Sequence, residues 1–432
     1  MFLSTFLKNL IRVGELTVID ATGRSHRFGD GTPALTIRLH DPALHWRLFF
    51  DPEMAAGEAY MHGTLTVENA SVYEFLDLVG RNYAFASVHA LESPVQRIKR
   101  PLFRLTHFNW QRRARKNVAH HYDLSSKLYD LFLDTDHHYS CAYFANDRDS
   151  LEVAQGQKCR HIAAKLLLEP GKFRSVHAAG QGHIGEQHMR VLDIGSGWGG
   201  LALYLADQFQ AEVVGITLSK EQVKDAQQQA ARAGLGTSAC FFLRDYRQES
   251  GIYDRVVSVG MFEHVGLNGY ETYFRVVADR LVEDGVGLLH TMGHLDVPGL
   301  PSSWLRKYIF PGGYVPTLSE VVRAIERAGL LVTDVEVLRL HYAKTLRHWR
   351  TRFLAKREQA NALYDERFSR MWEYYLASFE VAFRYMKLSV FQIQLAKRVG
   401  AVPLTRDYMF EAEQKLPASR RMVADPTLDR EL

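Results

Sequence analysis

Cysteine is scarce in this chain: three in 432 residues, at positions 141, 159 and 240. Their spacing fits neither a metal knuckle nor a disulfide framework, which excludes a stapled secreted scaffold and suits a reducing cytoplasm. Long apolar runs are missing too. None approaches the roughly 20 residues that a bilayer-spanning helix needs. The apolar start, Met1 to Arg12, has no small-residue cleavage site, so no secretory signal is expected. Excess charge is also lacking, because a formal +4 does not by itself call for a nucleic-acid partner. What remains, at 47% hydrophobic and 24% charged residues, is a soluble globular chain long enough for two domains.

Glycine, by contrast, is concentrated where it tells most. Val191-Leu-Asp-Ile-Gly-Ser-Gly-Trp-Gly-Gly200 is an apolar run ending in Asp193, followed by Gly195, Gly197, Gly199 and Gly200. Leu201 to Ala206 then opens a helix. Strand, glycine turn and helix make the start of a nucleotide-binding βαβ unit, where backbone N–H groups approach a ligand that a Cβ would exclude. The alternating glycines do not match G-x-G-x-x-G, so a dinucleotide is not the expected ligand. An acidic residue two before the first glycine suits S-adenosylmethionine, whose ammonium needs acceptors. An ordinary glycine turn is the competing reading.

The next strand, Glu212 to Ile216, ends at Thr217, and Ser219 is placed to cap a helix to Ala233 with Gln222 closing a capping box. No acidic residue stands at this strand end, so Gln222 is the nearest side chain able to hold ribose hydroxyls. A third strand, Ala239 to Asp245, sets Asp245 and Tyr246 near the adenine position. The fourth, Tyr253 to Gly260, delivers Glu263 and His264 at its C-terminal end, where open α/β sheets place their chemistry. The fifth, Val286 to Met292, leaves His290 at the corresponding end. Strands at Val332–Leu338 and near His341-Tyr342 would complete seven. The expected fold is α/β, a Rossmann-like class I methyltransferase with a seven-stranded sheet and a small N-terminal α+β domain.

That N-terminal domain, residues 1–95, shows short runs at Leu16–Ile19, Leu35–Leu39 and Trp46–Phe50 that read as strands, with helices near Met54–Met61 and Ser71–Val79. Residues 96–120 form a basic linker: Arg97, Lys99, Arg100, Arg104, Arg112, Arg113, Arg115 and Lys116 accumulate among Phe103, Phe108 and Trp110, with no acid from Ser93 to Tyr122. A solvated linker and an anionic partner are both consistent with it. At a membrane each such residue is worth ~1 kcal/mol. Residues 121–432 form the catalytic domain. Within it, Lys172–Arg190 reads as a surface insertion, and the tail from Thr345 to about Arg398 as helical with a broad aromatic face.

Taken together, Gly57–Met61, His121–Leu124, Tyr139–Tyr143, Val191–Gly200, Gly215–Ser219, Gly260–Gly266, Lys307–Gly312 and His341-Tyr342 resemble the cyclopropane-fatty-acyl-phospholipid synthase family, which includes the mycolic acid cyclopropane synthases. Ser196 stands where members commonly carry cysteine. The resemblance implies methyl transfer from S-adenosylmethionine to a cis double bond of a phospholipid acyl chain, with bicarbonate as the base that lets the ring close. It assigns the bicarbonate to Cys141, Glu263, His290, Tyr342 and the backbone of Met292. It assigns the cofactor to Tyr139, Ser140, Gly195, Gly197, Thr217, Gln222 and Tyr246, beside Asp193 and Asp245 from the strand-end reading. The partner it implies is an anionic phospholipid bilayer rather than nucleic acid, met from the cytoplasm at the inner face of the membrane. A homodimer rests on the resemblance alone. Methylation without ring closure, a non-lipid acceptor, and a lipid-binding protein without catalysis are the alternatives.

Overall fold

In the computed structural model of the chain, residues 2–85, 125–171, 174–178, 182–296, 298 and 302–415 are described. The basic stretch 96–120 and the His121–Leu124 motif lie outside them. Compactness divides the chain into two units, each drawn from separated segments.

The first unit comprises Met1–His107, His294–Gly313 and Tyr342–Ser389. Its sheet has the order β2-β1-β3-β4, from β1 (Glu15–Ile19), β2 (Ser25–Gly29), β3 (Ala34–Leu39) and β4 (Leu65–Val67). The inward residues Leu16, Val18, Leu35, Ile37 and Leu39 alternate along β1 and β3 and meet Phe75 and Leu78 of the helix Val72–Phe85. The Trp46–Phe50 run is not a strand. It belongs to the helix Leu44–Phe50, which buries only Leu44 and ends at Asp51, the cap of the next helix, Pro52–Met61. A helix that turns its aromatic residues outward lacks the apolar stripe by which helices are recognised.

Two sequence motifs meet within this unit. Gly57 lies against the Trp304 indole, where a Cβ would come within 2.4 Å. Glu58 accepts hydrogen bonds from Lys307 Nζ (2.7 Å), Tyr308 Oη (2.8 Å) and Arg47 Nη2 (2.6 Å). The stretches around 57–61 and 304–312 are thus joined by packing and charge.

The second unit comprises Phe108–Gly293, Tyr314–His341 and Val390–Leu432. Its seven-stranded sheet runs β12-β13-β11-β10-β7-β8-β9. The strands are β7 (Arg190–Ile194), β8 (Glu212–Thr217), β9 (Ala239–Leu243), β10 (Tyr253–Val259), β11 (Leu281–His294), β12 (Leu331–Val337) and β13 (Leu388–Ala396). β7 to β11 are parallel, and β12 is antiparallel to β13. The chain goes outward from β7 to β9 and returns to β10 on the other side of β7. That reversal opens a crevice at the C-terminal strand ends, where such sheets bind ligands.

Two expectations are corrected here. His341-Tyr342 opens the helix His341–Ala355 rather than a strand. The seventh strand is β13, inside the tail expected to be helical, and all nine of its residues are buried. Gln392 and Gln394 share one face of β13, and their polar side chains obscure an otherwise apolar run. Of the insertion expected at 172–190, Arg174–Ala178 (β5) and Gly182–Gln187 (β6) form an antiparallel hairpin.

Candidate active site

Gly195, Gly197 and Gly199 turn the chain from β7 into the helix Gly200–Phe209 with φ of 85°, 54° and 92°. At Gly195 a Cβ would also come within 2.5 Å of the Met261 side chain. At Gly197 it would meet nothing within 4 Å, so a side chain there would occupy ligand space. The nine residues expected around the cofactor, Tyr139, Ser140, Asp193, Gly195, Gly197, Thr217, Gln222, Asp245 and Tyr246, line a single cavity at these strand ends.

Their hydrogen bonds refine what each can offer. Thr217 Oγ1 donates to Gln222 Oε1 at 2.7 Å, which leaves the Gln222 amide nitrogen as the end able to donate to a ligand. This is why the capping box is only half made. Ser219 Oγ accepts from the Gln222 N–H at 3.3 Å, but the Gln222 side chain turns to Thr217 instead of back to the cap. The Asp245 carboxylate accepts from Arg247 Nε (2.8 Å), Nη2 (2.6 Å) and backbone N–H (3.0 Å), so a charged partner from its own turn holds it. Ser196 Oγ is buried in the same cavity and has no partner among the described residues.

One wall, His137 to Ser140, is fixed by the helix Leu151–Lys165, through pairings that spacing alone does not reveal. Lys158 Nζ donates to Ser140 Oγ at 3.0 Å, and Gln155 Nε2 to the carbonyls of His138 and Ser140 at 3.3 and 3.1 Å. His138 lies 2.8 Å through Nδ1 from Asp134 Oδ2 and 3.3 Å through Nε2 from Cys159 Sγ. Burial and Lys158 push the pKa of His138 down, but Cys159 and Asp134 outweigh them and raise it to about 10. The hint lies in polar residues at 155, 158, 161 and 165, all of which fall on the buried side of that helix. Asp193 is also buried, and burial pushes its carboxyl up to about 7 against the opposing pull of Lys158 and His138.

The second group of expected residues is brought together in part. Glu263 sits in a single turn after β10, and its Oε1 accepts the backbone N–H of Met292 at 2.6 Å. His290 precedes Met292 by two on β11, so the two share a strand face. Glu263 Oε2 and His290 Nε2 are both buried with no partner among the described residues. Burial raises the Glu263 carboxyl above the usual range and holds His290 well below its own, so that the imidazole is neutral. His264, facing the cavity, is kept neutral by burial at a pKa of about 4. Cys141 is buried, with Sγ directed to the Ala142 carbonyl at 3.3 Å. Tyr342 lies in the first unit, where its ring packs against Trp349 and Phe383 at 5.8 and 4.7 Å.

The cavity fits S-adenosylmethionine by its own features. It has a glycine cradle, an acid for the ammonium, and an amide donor at the second strand end. The comparisons agree. The family described as mycolic acid cyclopropane synthetase matches residues 109–393. The cyclopropane-fatty-acyl-phospholipid synthase of Escherichia coli K12 is 35% identical over 370 residues, 86% of this chain and 90% of that protein. The tuberculostearic acid methyltransferase UfaA1 of Mycobacterium tuberculosis is 36% identical, over 86% of this chain and 87% of its own. A crystal structure of the mycolic acid cyclopropane synthase CmaA1 with SAH and CTAB aligns at a TM-score of 0.58 and 35% identity, over 65% of this chain and 97% of that one. Sheet, glycine cradle and sequence kinship converge: this chain is an S-adenosylmethionine-dependent methyltransferase and belongs to the cyclopropane synthase family.

Proposed function

We propose that this enzyme methylates the cis double bond of an unsaturated phospholipid acyl chain and closes a cyclopropane ring, with bound bicarbonate taking the proton that leaves. One observation carries the reading: a buried ring nitrogen, His290 Nε2, and a buried carboxylate oxygen, Glu263 Oε2, both without partners among the described residues. Leaving such groups unsatisfied costs about 1–3 kcal/mol each, so their persistence calls for a ligand with complementary atoms. Bicarbonate has one O–H for the Glu263 carboxylate and further oxygens that accept from His290 Nε2–H. The backbone of Met292 already holds Glu263 in place, and the parts of Cys141 and Tyr342 rest on the family resemblance.

S-adenosylmethionine supplies an electrophilic methyl on a sulfonium. An alkene has no proton to lose before it attacks that methyl, so the chain's residues are needed afterwards. They must keep water from the cation and hold a base that is not itself methylated. One C–C bond forms as C–S breaks. The added methyl then gives a proton to the anion as the second C–C bond closes, for a net gain of CH₂.

A phospholipid acceptor draws support from chain coverage. The Escherichia coli phospholipid synthase aligns over 86% of this chain, whereas cyclopropane mycolic acid synthase 1 of Mycobacterium tuberculosis aligns over 65% of it at 96% of its own length. Association with an anionic bilayer surface at the cytoplasmic face belongs to the same proposal. It is supported by the exposed Trp46 and Phe50 rings, stacked 6.4 Å apart on the first unit. No helix of the described residues is long and apolar enough to cross a membrane. Methylation without ring closure is the second reading, favoured by a similar identity, 36%, to the tuberculostearic acid methyltransferase. Mass spectrometry of unsaturated phospholipid vesicles incubated with enzyme and methyl-labelled S-adenosylmethionine separates the two. Gain of CH₂ with the alkene lost supports ring closure, and gain with an alkene retained supports plain methylation. Label absent from lipid refutes both.

A further inference from the structure

His290 is backed by a chain of buried polar side chains whose directions can be worked out one after another. Lys165, at the end of the helix Leu151–Lys165, donates through Nζ to Gln392 Oε1 on β13 at 2.8 Å and is also paired with Glu336. Glu336 is itself held by His161 Nε2 at 2.6 Å, and His161 Nδ1 meets Glu413. Lys165 and Gln392 are almost fully buried. Burial lowers the pKa of Lys165, but its carboxylate partner Glu336 opposes that and holds it as an ammonium. An ammonium has donors and no acceptor and so cannot face an amide NH₂; the Gln392 carboxamide therefore has one permitted orientation. Its Nε2 is therefore the atom 3.1 Å from His290 Nδ1, and there it must donate.

We infer that Lys165 and Gln392 are positioning residues that lock His290 in the tautomer with its proton on Nε2, presenting a fixed N–H donor to an oxyanion. Nδ1 must be a lone pair to accept from Gln392. A neutral imidazole then has its single proton on Nε2, the buried atom without a partner among the described residues. That the ring is neutral follows from its burial and from its cationic neighbours Lys158, Lys165 and His161. His290 so held can donate a hydrogen bond but cannot take a proton through Nε2. The base in ring closure must accordingly be another group. The inference rests on the proposed anion site and gives His290 one role in it.

The test begins with the unmodified enzyme carrying ¹⁵N-labelled histidine, in which long-range ¹H–¹⁵N correlations report which ring nitrogen of His290 is protonated. The His290→Gln variant assigns the signal. The expected result is Nε2–H; a proton on Nδ1 overturns the lock without any variant. Gln392→Glu keeps size and shape but replaces the NH₂ with an oxygen that only accepts. One carboxylate oxygen remains for Lys165, and the other requires a proton on Nδ1. The tautomer should therefore reverse, and kcat should fall by about 10²-fold or more, with KM for S-adenosylmethionine nearly unchanged. If Gln392→Glu leaves Nδ1 unprotonated, the lock is wrong. If the tautomer reverses and turnover stays normal, the lock stands, and it is the proposed contact of His290 with the anion that fails.

Discussion

The Met292 backbone N–H donates to Glu263 Oε1 at 2.6 Å, tying the turn after β10 to the end of β11. Burial raises the pKa of this carboxyl against the pull of the Met292 and Glu263 backbone N–H groups and the Thr291 hydroxyl, while Oε2 has no hydrogen-bond partner among the described residues. Stability alone would not select that arrangement, since burying a charge without a full set of partners is costly.

Glu263→Gln should accordingly separate activity from stability. The amide oxygen can still accept from Met292, but the NH₂ in place of Oε2 donates only and cannot accept a hydrogen bond from a ligand O–H. We expect turnover to fall by roughly 10²–10³-fold, the range found for losing one preorganised polar contact in an active site. Because the folded-state pKa of Glu263 is raised, its stabilising contribution is present below the unfolded value and lost as pH rises through the folded one. The variant should therefore melt at or above the temperature of the unmodified enzyme at neutral pH. Calorimetry beside a turnover assay checks both, and a large loss of stability would make Glu263 a structural residue.

Asp193 gives a pH prediction. Burial raises its carboxyl to about 7, so its contribution to stability is full below about 4 and is lost as pH rises through about 7. The ionised form is the one that attracts a cationic ligand. Affinity for S-adenosylmethionine should rise across pH 6–8, roughly, and Asp193→Asn should both weaken binding and flatten that profile. Titration calorimetry at several pH values provides the readout. An unchanged slope in Asp193→Asn would assign the pH dependence to another group.

How much of this was legible depended on how far each residue's partners lie along the chain. The glycine cradle, Thr217, Gln222 and the strand-end Asp193 are local: pattern and spacing place them, and the cavity gathers them. Gln392 and Lys165 are separated by 227 positions. In sequence a lysine inside a helix reads as solvated, and two glutamines in an apolar run read as a break. Only tertiary pairing makes either of them buried, which is why β13 does not read as a strand from sequence alone. The Leu44–Phe50 helix failed for the opposite reason, because aromatic residues that face outward mimic the composition of a strand.

Gly57 supplies a prediction about packing. Its Cβ would come within 2.4 Å of the Trp304 indole, which is itself fully buried. Gly57→Ala should therefore destabilise by about 1–3 kcal/mol through overpacking, despite the helical propensity it adds. Denaturant melts decide it. A neutral or stabilising effect would mean that Trp304 can move aside.

The Trp46 and Phe50 pair carries the membrane question. Both rings are about half exposed, at 55% and 48%, on a helix whose only buried residue is Leu44. Half-exposed aromatics bury only part of their surface where they stand, and burying the rest in a bilayer interface would gain roughly 1 kcal/mol or more for each. Trp46→Ala with Phe50→Ala should lower partitioning onto anionic phospholipid vesicles by at least about tenfold. Binding of S-adenosylmethionine should be unaffected, since these side chains belong to the first unit and the cofactor cavity to the second. Vesicle cosedimentation and calorimetry on the same preparation report the two quantities separately. Unchanged cosedimentation would move the membrane contact away from this helix, leaving the basic stretch 96–120 as the next segment to alter.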